Sequence, residues 1–506
     1  MAPGPTPKEP LERLSERLDP WLRKRAVAAL CLLAAAALGV ASALAVRDGI
    51  EPGIRDVDAL EQAVMARQLA QGEGFRTNVI YPAELSLGAD TAHPAVRQPP
   101  LWPLVLALPF ALFGADASTA DAASVALFGL LVATAAGLAA ARGGLVAGAV
   151  AALAVALTSA NRLLTLEPIS ATLFGVMIAL VLWLCAAGAP AFAIGLTCGL
   201  AYLTRYSGIL LLPAALALVF ARSRHPRLLV TCCAGFVVAA APWWIRNAVV
   251  AGSPFFTLQS LAAWIAPGPP VAGIGPLFEL QPEQASHADP LVKLTTQLPL
   301  LLVSFPYASV GLAAFIGVLL GVVRRDAFCA VWAAVAVLSL LLAAVTLPHG
   351  AEVAPLFPTM MALGAAAWMR YGGWLRAPAL ALVAAAAWLP SYPDPPRDLR
   401  QLRNTQAYLR DASTREAPGA RAALRRCLDG APTVLAHGAP RVAWQTDAIA
   451  LYAPTSEPAF WEIAEAHDVA FVQGHRPSDS DGRFAAEFSL RSDCAPDLYE
   501  RKRSTR

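Results

Sequence analysis

Residues 47–98 read RDGIEPGIRDVDALEQAVMARQLAQGEGFRTNVIYPAELSLGADTAHPAVRQ, a hydrophilic island between two apolar stretches. Before it runs an uncharged apolar segment at 26–46, and after it comes PPLWPLVLALPFALFG at 99–114. The island carries Asp56, Asp58, Glu61, Arg67, Glu73 and His93. A cluster of carboxylates just past a first membrane span places potential general-base groups at the lip of a bilayer. A substrate carried on a lipid could reach them there.

Composition points to a membrane protein. The 506 residues are 57% hydrophobic and 15% charged, against roughly 25% charged in soluble domains, and the mean hydropathy is +0.53. The net charge of +3 gives no reason to expect a nucleic-acid partner. Apolar segments lie near 25–46, 99–113, 118–141, 145–160, 169–187, 191–203, 208–221, 228–248, 297–323, 327–346, 353–370 and 374–390. Several approach the ~20 residues that a bilayer span needs. The polar start at 1–24 and the long run after it read as a signal anchor rather than a cleaved signal.

Arginines sort the loops. Arg23 and Arg25 with Lys24 place the N-terminus inside. Arg142, then Arg222, Arg224 and Arg227, then Arg324 and Arg325, then Arg370 and Arg376 mark four inner turns. This alternation requires that 99–113, rich in proline, lie on the outer face without crossing. The expected fold is an all-α polytopic membrane bundle of about eleven spans with a small C-terminal α/β soluble domain. The expected division is a cytoplasmic tail at 1–24, a membrane module at 25–390 with outer loops 47–117 and 249–296, and an extracytoplasmic domain at 391–506. In that last region RDLRQLRNTQAYLRDAS reads as a helix, TVLAHG and VAFVQG as short strands, and PAFWEIAEAH as a helix.

Six of the eight cysteines fall in apolar segments as small packing residues. Cys427 and Cys494 are the two in the tail and are expected to pair if the tail lies in an oxidising compartment. His93, His287, Glu279, Glu283 and Asp289 are the candidates for a divalent metal, without a diagnostic spacing. No other cofactor is implied.

Several motifs together resemble the GT-C superfamily of polytopic glycosyltransferases. The branch is that of protein O-mannosyltransferases, aminoarabinose transferases and lipopolysaccharide-core enzymes. The motifs are Asp58, Ala66-Arg67-Gln68-Leu69, Gly72-Glu73-Gly74-Phe75, Pro99-Pro100-Leu101, LTRYSGILLLP at 203–213, PWWIRNAVVAGSPFF at 242–256 and VAWQTDAIALYAP at 442–454. The resemblance spans nearly the whole chain. It implies an inverting transfer of a sugar from a polyprenyl-phosphate carrier to an acceptor hydroxyl on a lipid, glycan or protein. It also implies a membrane enzyme with an extracytoplasmic active site, and the short tight loops and high alanine content point to a bacterial inner (plasma) membrane. Counting from Ala66-Arg67 places the family's catalytic acid on Asp58, with Asp56 as the alternative. The following Glu of the family is Ala59 here. An N-cap of the helix ALEQAVMARQLA is the structural reading of Asp58. Arg162, Arg205 and Arg246, at outer ends of spans, suit a phosphate. Glu167 lines the cavity or pairs with Arg162. His349 stands near the place of a family arginine that the chain lacks. The rival readings are a transporter or lipid flippase, a non-catalytic assembly subunit of the same fold, and a polysaccharide polymerase or ligase.

Overall fold

The structure is a computed structural model. It describes residues 10–87, 93–258, 310–345, 353–373, 418–428, 433–454, 456–474, 482–495 and 497–502, with short stretches between 291 and 299. Helix α1 (Pro10–Arg47) is followed by α2 (Val57–Ala70), α3 (Leu101–Phe113), α4 (Ala117–Gly143), α5 (Leu145–Leu157), α6 (Ser159–Leu163), α7 (Ser170–Ala187), α8 (Ala191–Thr204), α9 (Leu211–Ser223) and α10 (Pro226–Ala251). Three further apolar helices occupy Val310–Val323, Ala327–Val345 and Phe357–Tyr371.

Among the described residues, six helical segments are long and apolar enough to cross a membrane. They are Ala26–Arg47, Ala117–Gly143, Ser170–Ala187, Tyr206–Ser223, Pro226–Ala251 and Ala327–Val345, and shorter apolar helices stand beside them. The chain is a multi-pass membrane protein. The sequence-based count of about eleven spans is not reproduced among the described residues. One reason is that helices such as Leu145–Leu157, with 13 residues, reach only about 20 Å.

α4 is the hub, with Phe128, Leu131 and Leu138 fully buried and packing against α1, α5, α7 and Phe357–Tyr371. The outer surface of α1 keeps Leu30, Leu33 and Leu44 exposed, as a lipid-facing side requires. Lipid is as apolar as these side chains, so close packing rather than apolar burial holds the helices together. The α8–α10 contact shows how. A Cβ built on Gly195 would stand 1.7 Å from the Cys232 carbonyl oxygen, and one on Gly235 2.2 Å from that of Phe192. Larger residues would force these backbones apart.

α3 does not span. Its Trp102, Leu106 and Phe110 are buried, while Leu108, Leu112 and Phe113 are exposed. One face packs on the protein and the other is left exposed.

The C-terminal part builds a six-stranded sheet in the order β2-β5-β4-β6-β8-β7. Its strands are β2 (Val79–Ile80), β4 (Thr433–Ala436), β5 (Ile449–Tyr452), β6 (Phe471–Gln473), β7 (Phe488–Leu490) and β8 (Leu498–Arg501). β2 belongs to the first loop and pairs in parallel with β5, Val79 opposite Ala450 and Ile80 opposite Leu451. A separate two-stranded sheet pairs β1 (Arg76–Thr77) antiparallel with β3 (His93–Pro94). TVLAHG and VAFVQG supply strands β4 and β6, and EPAFWEIAEA at 457–466 is a helix, as read from the sequence. VAWQTDAIALYAP divides into the end of the helix Ala439–Thr446 and then β5. The expected helix RDLRQLRNTQAYLRDAS lies outside the described residues. Cys427 and Cys494 form a disulfide, with Cα atoms 6.1 Å apart.

Candidate active site

α2 carries the acids and sits between the bundle and the sheet. Asp56 caps its N-terminus: the residue is extended, and its carboxylate accepts from the Ala59 amide at 2.9 Å. The cap therefore falls two residues before Asp58, which is left in the first helical turn with an exposed side chain. The sequence reading of Asp58 as a cap is corrected by this geometry. At the other end, Gly72 and Gly74 of the Gly-x-Gly-Phe motif take φ of +84° and +78°. In that left-handed region glycine is favoured, so the motif turns the chain out of α2 and into β1.

Behind Asp58 stands Arg97, buried, which the sequence reading passed over. Its guanidinium donates to Asp58 Oδ1 and, through Nε at 2.8 Å, to Glu61. Gln98 donates to the same Asp58 oxygen at 3.3 Å. Both bonds fall on Oδ1, and the Asp58 side chain is still 53% exposed. Glu61 is buried and also accepts from the Tyr81 hydroxyl at 2.6 Å and the Tyr452 hydroxyl at 3.4 Å. Burial pushes the Glu61 carboxyl up in pKa, and the Arg97 charge only partly offsets it. Burial also lifts the carboxyl of neighbouring Glu84 to about 8, against a hydrogen bond from the Tyr81 amide. One buried arginine thus serves an excess of acids.

Asp56 and Glu167 form the adjoining wall. Desolvation by the surrounding protein, then the Asp58 charge, raises the Asp56 carboxyl, although its side chain still reaches solvent. Burial raises Glu167 to about 7, against hydrogen bonds from the Arg55 and Asp56 amides, and Asp56 adds to the rise. Glu167 takes the Arg55 amide at 3.0 Å, whereas Arg162 gives its Nε to the Ala156 carbonyl at 3.1 Å. Of the two readings of Glu167, lining the cavity or pairing with Arg162, the second is not met: the two side chains make these separate contacts. Desolvation lowers the Arg162 pKa.

Arg246 reaches the first loop from α10, donating to the Phe75 carbonyl at 3.1 Å and lying over the Trp243 ring at 4.6 Å. The same carbonyl accepts from the Ala95 amide, so Arg246 is braced against the strand that leads to Arg97. Arg205 ends α8 next to Tyr206, whose hydroxyl accepts from Trp243. The structure brings Asp56, Asp58 and Glu167 together and places Arg205 and Arg246 on the α8–α10 side of the loop. His349, His287, Glu279, Glu283 and Asp289 lie outside the described residues.

Arg67, on the other face of α2, fastens the C-terminal unit. It donates to the carbonyls of Ala443 and Trp444 at 2.7 and 2.9 Å and pairs with Asp447 at 2.7 Å. A cation at the C-terminal carbonyls of a helix is favoured by the helix dipole. Among the described residues, one His/Cys/Asp/Glu group is close enough to hold a metal, Cys427, Asp493 and Cys494. Its two sulfurs are already joined in the disulfide, so it does not fit an ion.

No family model and no curated protein matches the sequence. Solved structures do match. ArnT from Cupriavidus metallidurans bound to undecaprenyl phosphate aligns over 96% of this chain and 98% of its own, at 13% identity and a TM-score of 0.56. Its apo form aligns over 92% and 97%, at 15% identity and a TM-score of 0.57. The oligosaccharyltransferase AglB from Archaeoglobus fulgidus, in complex with an inhibitory peptide and a dolichol-phosphate, aligns over 86% of this chain and 68% of its own, at 12% identity and a TM-score of 0.50. At these identities the likeness is one of fold. The acid-bearing first loop, the polytopic bundle and the small sheet docked on it are thus arranged in a fold similar to that of these structures.

Proposed function

We propose that the protein is an integral-membrane inverting glycosyltransferase that moves a sugar from a polyprenyl-phosphate carrier to an acceptor hydroxyl on the outer face of a bacterial inner membrane. The observation that carries this reading is the Asp58 carboxylate, held on one oxygen by Arg97 and Gln98 and open on the other side. The fold similar to that of proteins solved with undecaprenyl phosphate or a dolichol-phosphate supports it.

In the proposed reaction, Asp58 Oδ2 takes the proton of the acceptor hydroxyl. The acceptor oxygen attacks the anomeric carbon from the side opposite the phosphate, and the bond from that carbon to the phosphate oxygen breaks. The leaving polyprenyl phosphate is stabilised by fixed cations, with Arg205 and Arg246 assigned to it and Arg162 and His349 as further candidates. Asp56 caps the helix that presents Asp58 and is the alternative base. Glu167 walls the cavity. The donor is a polyprenyl-phosphate sugar, the acceptor a lipid, glycan or protein hydroxyl. The proposed layout has residues 1–24 inside, 25–390 as the membrane module and 391–506 outside, where Cys427–Cys494 can stay oxidised.

The test is the lipid and glycan profile of a deletion strain complemented with wild type or Asp58→Asn. The expected result is that the deletion loses one sugar and accumulates its polyprenyl-phosphate form. Wild type restores the sugar, and Asp58→Asn inserts normally but does not. Full restoration by Asp58→Asn would remove Asp58 from the chemistry.

A further inference from the structure

Glu61 is a buried carboxylate to which the proposed reaction gives no task. Its two oxygens face different partners. Oε2 accepts from Arg97 Nε at 2.8 Å. Oε1 accepts from two phenols, Tyr81 at 2.6 Å and Tyr452 at 3.4 Å. Arg97 reaches on past Glu61: its Nη2 donates to Asp58 Oδ1, the oxygen that also takes Gln98. A line of polar contacts thus runs from Tyr452 through Glu61 and Arg97 to Asp58 Oδ1, and it leaves Oδ2 for the acceptor. The same Nη2 also lies against Glu61 Oε2. The two acids therefore share one donor, and what else holds Glu61 decides how much of it Asp58 keeps.

The two phenols come from distant parts of the chain. Parallel pairing of β2 with β5 sets Ile80 opposite Leu451, so Tyr81 and Tyr452 follow side by side. Both rings are buried, with centroids 4.4 Å apart. Tyr81 belongs to the first loop and Tyr452 to the C-terminal unit. Burial raises both hydroxyls in pKa, so both keep their protons and donate. A buried carboxylate that loses such a donor is left short of hydrogen bonds. With the Tyr452 hydroxyl gone, the donor at hand for Glu61 is Arg97 Nη2, and Asp58 gives it up. Asp58 Oδ1 then loses its brace, and Oδ2 is no longer aimed.

We propose that Tyr452 is a positioning residue of the active site: by donating to Glu61 Oε1 it keeps Arg97 Nη2 on Asp58, so that the C-terminal unit completes the site from behind. The effect on transfer rests on the transferase reading; the brace itself does not.

The test uses the full-length protein in phosphatidylcholine nanodiscs, as wild type, Tyr452→Phe, Tyr81→Phe and Asp447→Asn. A water-soluble carbodiimide with glycine ethyl ester labels the carboxyl groups at mildly acid pH. Labelling of Asp58 is read by peptide mass spectrometry against the exposed Glu51. Tyr452→Phe is expected to raise it about threefold, because Oδ1 has lost its guanidinium, and Tyr81→Phe to raise it further. Asp447→Asn loosens the Arg67 contact of the same unit but touches no member of the line, and is expected to label as wild type does. In the complemented deletion strain, Tyr452→Phe should consume the accumulated polyprenyl-phosphate sugar about fivefold more slowly. Its C-terminal unit should resist protease as wild type does. Labelling that is unchanged in Tyr452→Phe, or that rises equally in Asp447→Asn, would overturn the brace whatever the rate of transfer. Raised labelling with undiminished transfer would overturn the positioning role. Raised labelling where even wild type consumes no polyprenyl-phosphate sugar would support the brace and strike the transferase reading instead.

Discussion

Two arginine–carboxylate clusters mark opposite ends of the bundle, and they are built in opposite ratios. At the end with the turns at 142 and 326, Asp326 is buried. It receives Arg142 at 2.8 Å, Arg370 at 3.4 Å and the Tyr371 hydroxyl at 3.1 Å. Two cations and a hydroxyl saturate one acid, which also accepts the Phe328 amide. At the α2 end, one buried arginine serves Asp58 and Glu61, with Glu84 close by. A saturated carboxylate fastens helices together; a carboxylate with lone pairs to spare can accept a proton. The difference in ratio, more than the kind of residue, separates a structural cluster from one suited to chemistry.

The sharpest way to break this contrast is Arg97→Gln. It leaves Glu61 buried without its cation and frees Asp58 from its brace. The expected cost is about 3–5 kcal/mol of stability, together with loss of transfer in the complemented strain. A variant with wild-type melting temperature and activity would mean that Arg97 neither braces the site nor balances it.

Removing the clamp on the C-terminal unit comes next. In the chain-entropy model, closing a 67-residue loop contributes about 4 kcal/mol at most. Cys427→Ser/Cys494→Ser should therefore raise proteolytic cleavage of the C-terminal unit several-fold while the bundle stays resistant. Equal protease sensitivity with and without the bond would show that the docking contacts of Arg67 suffice alone.

Asp326→Asn probes the saturated cluster. It should lower stability by about 2 kcal/mol and leave transfer within about twofold. A large loss of transfer with unchanged melting would place function at this end as well.

The smallest effect is one of pH. Glu84 has a folded-state pKa of about 8 against an ordinary 4.5, so the folded state holds a proton that the unfolded chain has released. Stability is then highest at acidic pH and falls as pH rises through the folded value, by about 2 kcal/mol between pH 6 and 8. Glu84→Gln should flatten that slope in thermal melts taken across this range. An unchanged slope would assign it to another group.

Much of the architecture was legible. Long apolar runs, Arg-bearing turns and the acidic loop each express a local rule, and so do Gly72 and Gly74 at the end of α2. The short apolar strands at 433–436 and 471–473 were legible for the same reason. The site was half legible. Asp56 and Asp58 were found, but the choice of cap was not, because both stand within two residues of the helix start and either could serve. Arg97 lay in plain view before Pro99 yet carried no local signal; its importance comes from Glu61, 36 residues earlier. Tyr452 meets the same Glu61 across 391 residues, which no spacing rule could reveal. β2 was missed because two residues are too few to show a period.

The placement of β2 bears on how the protein is made. The Asn78 side chain bonds the Asp447 carbonyl across 369 residues of sequence, and the strand beside it completes a sheet whose other members lie between Thr433 and Arg501. Contacts so distant in sequence form late and slowly. The nascent first loop must therefore wait, with its strand unpaired, until nearly every membrane helix has been inserted. Closure of the sheet becomes a checkpoint on assembly: a chain with a mis-threaded bundle would carry its first loop to the wrong side and leave the edge of β5 open. Such a bare edge is the kind of surface by which faulty chains aggregate.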